Sequence, residues 1–97
     1  MNIKVHTLNN EVLVAACDRS LLDKTLVHGD VEFHVNPAFY GNTLADEKTL
    51  IEALKKATIA NLVGKKCVAA AVKSGYINQE NILIIDGVPH AQMIVVL

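Results

Sequence analysis

Apolar runs at both ends of the chain, each folded back by a turn signal, constrain its architecture more than any other feature. At the start, NIKVHTL and EVLVAAC flank Asn9-Asn10. Asparagine tolerates the positive φ that a tight hairpin demands, so the pair reads as two strands around a turn. At the end, ILII and MIVVL flank DGVPHAQ, where Asp86-Gly87 signals a turn and Pro89 stiffens the start of the next strand. EVLVAAC is apolar at nearly consecutive positions, the pattern of a mid-sheet strand covered on both faces.

The middle of the chain changes period. Asp18 in DRSLL suits the cap of a short helical turn. After a Gly29-Asp30 turn, Val31, Phe33 and Val35 alternate with Glu32 and His34 as in a half-exposed strand, which Pro37 ends. NPAFYGN reads as a loop carrying Phe39 and Tyr40. Thr43 with Asp46 has the form of a capping box, and Leu50, Ile51, Leu54 and Ala57 recur behind it at helical spacing, predicting a helix over about 44–57. TIANLVGKKCVAAAVKSGYI reads as a second helix, interrupted at Gly64, with an apolar stripe of Cys67, Val68, Ala71 and Val72 and a terminating Gly75.

The resulting order, ββ(short α)βααββ, predicts one α+β domain over residues 1–97: a two-layer sandwich of a mostly antiparallel sheet with two helices on one face. At 97 residues, 52% hydrophobic and 20% charged, the chain is long enough for a single core and far from the disordered regime. MNIKVHTLNNEV reads as strand and turn rather than leader, and no apolar run approaches the roughly 20 residues of a membrane helix, so the expected location is cytoplasmic. MIVVL is a hazard on an open edge, so it is expected either inside the sheet or against a second copy of itself.

Charge is distributed unevenly. Residues 53–79 hold Lys55, Lys56, Lys65, Lys66 and Lys73 and no acid, although the whole chain carries a net charge of -1. The two Lys-Lys pairs bracket ATIANLVG, so the reading is a phosphate-binding patch with the N–H groups of a helix starting at Gly64 among its donors. The lack of interleaved aromatic residues argues against stacking of single-stranded bases there. NLVGKKCVAAAVKSG has half the form of a helix-hairpin-helix, without its second glycine.

Catalytic and cofactor signatures are missing: no GxSxG, HExxH, P-loop or GxGxxG occurs. Cys17 and Cys67 lack the paired spacing of a zinc site and read as buried reduced thiols. In a strand starting near His90, His90 and Gln92 share one face while Ala91 and Met93 turn inward. An enzyme would have to combine His90 with Cys17 or Asp18, which no spacing requires.

AACDRSLLDKT, ATIANLVGKKCVAAAVKSGYI and, most specifically, GVPHAQ resemble a family of short archaeal proteins collected as a domain of unknown function. The resemblance implies an archaeal cytoplasmic α+β protein, brings no activity or cofactor, and through the family's gene neighbourhood points toward translation. Carried over, its pattern falls on Cys17, Asp18, Tyr40, Gly41, Asn61, Gly64, Pro89, His90 and Gln92. The chain departs from it at Asp23, where the family has glycine. The sequence reading is therefore a non-enzymatic factor binding structured RNA or a ribonucleoprotein through Lys55, Lys56, Lys65, Lys66 and Lys73, with Asn61, Gly64, Pro89, His90 and Gln92 contributing. Its rivals are a homodimeric or protein-interaction module using the C-terminal strand, and a small enzyme using His90.

Overall fold

In the computed structural model, which describes residues 1–96, β1 (Asn2–Leu8) and β2 (Glu11–Cys17) form the expected hairpin, with Asn9 at its tip at φ 56°. A 3-10 turn at Arg19–Leu21 leads to a second hairpin, β3 (Thr25–His28) and β4 (Val31–His34). NPAFYGN is not all loop: Asn36 accepts a hydrogen bond from Ala38 N, Pro37 takes the first helical position, and α1 (Pro37–Tyr40) forms one turn. β5 (Thr43–Leu44), α2 (Glu47–Lys56), β6 (Ile59–Val63), α3 (Lys65–Lys73), β7 (Leu83–Ile85) and β8 (Val88–Ile94) complete the chain.

The α+β architecture is as expected, with α2 and α3 on one face of the main sheet. The detail differs, and β3 and β5 are strands beyond the expected order. TIANLV is not helical: its last five residues are β6, which pairs in parallel with β2 and antiparallel with β8. The six strands run in the order β5-β1-β2-β6-β8-β7, so the parallel pair lies in the middle. α2 starts later than Thr43, because Asp46 is its cap and accepts from Thr49 N at 2.8 Å, while Thr43 belongs to β5. The C-terminal strand lies between β6 and β7 and ends at Ile94; Val95 and Val96 extend past it and Leu97 lies outside the described residues.

Strand alternation sorts the core into two halves. Toward the helices point Ile3, Val14, Ala16, Ala60, Leu62 and Ala91, packed against Leu50, Leu54, Cys67, Val68 and Ala71. Leu50 and Leu54 lie one turn apart and are essentially inaccessible, so truncating either to alanine would cost about 2–5 kcal/mol. Toward the other face point Ala15, Cys17 and Val63, covered by Leu26, Phe33, Val35, Phe39 and Tyr40 from the second hairpin and α1. That smaller layer covers only part of its face.

Asp23, where the resemblance implies glycine, has the backbone that glycine favours, at φ 68°. Its carboxylate meets His34 Nε2 at 2.9 Å on the surface, a local partner that an aspartate offers and a glycine lacks.

Candidate functional site

The face of the sheet under the small layer is best described in rows, because paired residues on neighbouring strands share a face. One row is Asn2, Cys17, Val63, His90 and Leu83; the next is Lys4, Ala15, Asn61 and Gln92; the third is His6, Leu13, Ile59 and Ile94. The first row is largely roofed, with Phe33 tilted over the His90 ring at a centroid distance of 5.2 Å. The third lies open at its β8 end, where Ile94 is 69% exposed.

A polar network marks the boundary between roofed and open sheet. Asn61 Oδ1 accepts from the Tyr40 hydroxyl at 2.7 Å and from His90 Nε2 at 3.3 Å, joining α1, β6 and β8. Burial pushes the Tyr40 hydroxyl up, keeping it protonated and donating, and pushes the His90 imidazole down, keeping it neutral. Among the described residues Asn2 Oδ1 is the buried side-chain polar atom without a partner. The Asn61 Nδ2 donors have no acceptor among the described residues, and the half-buried Asn61 side chain is not sealed from solvent. Gln92 is exposed directly across from Asn61. At the other side His6 stacks on Phe39 at 5.0 Å and 21° and donates from Nε2 to Phe39 O at 2.7 Å. The result is a surface of two side-chain amides and a stacked aromatic pair around Leu13, Ile59 and Ile94, with the exposed Lys4 ammonium at its edge, where it donates to Ala38 O at 3.0 Å.

Asp18, Gly64 and Pro89 belong to a structural joint. Asp18 Oδ2 and Oδ1 accept from Lys66 N and Cys67 N, each at 3.0 Å, while Gly64 N donates to Pro89 O at 2.9 Å. The start of α3, expected to hold a phosphate, is thus already capped by a carboxylate, and Gly64 N–H is spent inside the sheet. Gly64 is buried and contributes no contact surface.

The lysines divide as well. Lys55 and Lys56 end α2 and Lys65 and Lys66 begin α3; β6 stands between them, so the two pairs lie at opposite ends of a strand roughly 15 Å long. Lys55 meets Glu52 at 3.1 Å, a hydrogen bond that also raises its pKa, and Lys73 approaches Glu47 at 3.9 Å. Glu52 in the preceding turn and Glu47 on the neighbouring helix offset part of the charge that the sequence segment alone displays. All five lysines sit on the helical layer, away from Asn61, His90 and Gln92.

The proposed Cys-His pairing is not assembled. Cys17 and His90 occupy one row with Val63 between them, about 10 Å apart at two strand spacings. Burial, with Asp18 adding to it, pushes the Cys17 thiol up to about 11, which suppresses thiolate formation. Cys17 and Cys67 are both free and buried. No group of three or more metal-ligating side chains occurs among the described residues, and no helix is long and apolar enough to cross a membrane.

Of the residues singled out in the sequence reading, Tyr40, Asn61 and His90 come together in one hydrogen-bonded network with Gln92 beside it. That reading misses His6, Leu13, Phe39, Ile59 and Ile94. The alternation of Lys4, His6 and Leu8 in β1 is a usable signal for His6, but placing Ile59 and Asn61 requires knowing that β6 is a strand.

The family model for a protein of unknown function, DUF424, matches residues 6–96. The fold is similar to the crystal structure of an uncharacterized conserved protein from Methanopyrus kandleri, with a TM-score of 0.80 and 25% identity, over 95% of this chain and 88% of that one. No curated protein matches the chain.

Proposed function

The chain belongs to the DUF424 family, and from that premise we propose that it is a non-enzymatic docking domain binding a protein partner through the open part of its sheet face. The observation that carries the reading is the row Leu13–Ile59–Ile94, apolar and only partly roofed, bordered by the unpaired amide donors of Asn61 and by Gln92. An apolar centre with a hydrogen-bonding polar rim is the composition of a protein-binding patch. Tyr40 and His90 hold Asn61 in place. Affinity capture tests it: the tagged protein is expected to retain a specific protein from extracts of its source cells, and Ile59→Glu, verified as folded, to lose it. No retained protein, or equal retention by that variant, would overturn the reading.

A second reading, binding of structured RNA or a ribonucleoprotein linked to translation, is favoured by one observation: α2 and α3 carry six lysines against two glutamates. Binding would run along the helical layer and read phosphates, not sequence. Reversal of Lys55, Lys56, Lys65 and Lys66 to glutamate is then expected to abolish RNA binding and its salt dependence, leaving capture through the sheet face intact.

A further inference from the structure

β7 lies beside β8 only from Val88 to His90, and the chain before it turns aside in the 3-10 turn Gln79–Asn81. Beyond His90 no strand pairs with the outer edge of β8 among the described residues, although Asn81 lies near Gln92 and Ile94 across a shallow pocket. Gly64 N donates to Pro89 O and Val95 N donates to Thr58 O, so odd-numbered residues direct their backbone groups at β6 and even-numbered ones outward. Val88 and His90 meet β7. The outward groups of Gln92 and Ile94 have no partner among the described residues. The same stretch carries Ile94 at 69%, Val95 at 43% and Val96 at 88% exposure, an unprotected edge of the kind that solitary proteins avoid.

We propose that this half-lane is filled by the same stretch of a second copy, running antiparallel about a two-fold axis at Ile94. Ile94 then exchanges backbone hydrogen bonds with its counterpart, and Gln92 pairs with Val96 of the other copy. Three features favour a second copy. The pairing is self-complementary, as a two-fold interface must be. Residues 88–96 contain no charged side chain, so no like charges meet across the axis. The Leu13–Ile59–Ile94 row of one copy continues without a break into that of the other, and β7 of each copy shares a lane with β8 of its partner, end to end, with Leu83 at the junction. A strand pair of this length buries on the order of 1,000 Å² over both copies, near the lower limit for a specific complex. The dimer is therefore expected to dissociate in the micromolar range.

The proposal concerns the edge of β8 and goes beyond docking on its face, so each can fail alone. Sedimentation velocity over micromolar concentrations is expected to show monomer giving way to dimer, insensitively to salt, with amide exchange at Gln92 and Ile94 slowing as concentration rises. Ile94→Lys places two ammonium groups across the axis and is expected to remain monomeric with an unchanged thermal midpoint; Val96→Lys, outside the strand, repeats the test should the first variant lose its fold. Ile59→Glu, which abolishes docking, is expected to keep the dimer. A monomer throughout the range, or a dimer retained by both lysine variants, would overturn the proposal.

Discussion

Asp18 and Gly64 form a matched pair: the Asp18 carboxylate caps α3 from the space that a side chain on Gly64 would fill. A Cβ there would come within 2.7 Å of Asp18 Cβ and Oδ1, and the backbone already sits at φ 115°. The pair ties the end of β2 to the start of α3 and, through Gly64 N and Pro89 O, to β8.

Gly64→Ala is therefore expected to destabilise the fold by about 3 kcal/mol, combining left-handed backbone strain with overlap on the cap. Asp18→Ala should cost about 1–2 kcal/mol through the lost cap, and Asp18→Asn less, because asparagine also accepts from the helix start. Urea denaturation of the three variants checks the ranking. A neutral Gly64→Ala would show that the loop relaxes away from Asp18.

The Asn61 network predicts an asymmetry. Tyr40→Phe removes one donor and leaves Asn61 Oδ1 bonded to His90, so its expected cost is about 1 kcal/mol. Asn61→Ala strands the buried Tyr40 hydroxyl, at an expected cost of about 2 kcal/mol. Equal costs in denaturant titrations would mean that Tyr40 finds another acceptor.

The imidazole of His90 lies below its ordinary value because burial penalises its charged form. The unfolded chain therefore takes up this proton more readily than the folded protein. The stability contributed by keeping His90 neutral is present above the ordinary histidine value of about 6.5 and falls away as pH drops through the lower folded value. His90→Gln should flatten the urea-midpoint slope between neutral pH and about pH 5. An unchanged slope would assign the acid sensitivity to other groups.

Both thiols are expected to be inert in the native protein. Cys17 is pushed up to about 11 and Cys67 is also raised, in each case chiefly by burial. A thiol reagent at neutral pH should label neither until denaturant is added. Rapid native labelling would mean that the joint around Asp18 opens locally.

Much of this arrangement is legible in the chain. Period-two alternation places His90 and Gln92 on one face and Ala91 on the other, and helical spacing locates Leu50 and Leu54. β6 is hidden because Thr58, Ala60 and Asn61 dilute its apolar pattern and both flanks are helical, so its β character depends on pairing with β2 and β8. Asp18 is legible as a cap but not as the cap of α3, since the helix it serves begins in a distant part of the sequence. The separation of the lysine pairs is invisible for the same reason as β6. Once that strand stands between them, a single patch becomes two.

The central pairing of Leu13 with Ile59 also has a consequence in time. β1 and β2 close on each other locally, but β2 acquires its second neighbour only after the whole stretch through α2 has been laid down and β6 has arrived. During synthesis, the N-terminal hairpin must wait with one side of β2 unpaired. The slow event in folding is then expected to be closure of the long loop that brings Leu13 and Ile59 together, ahead of the quick addition of β8 and β7.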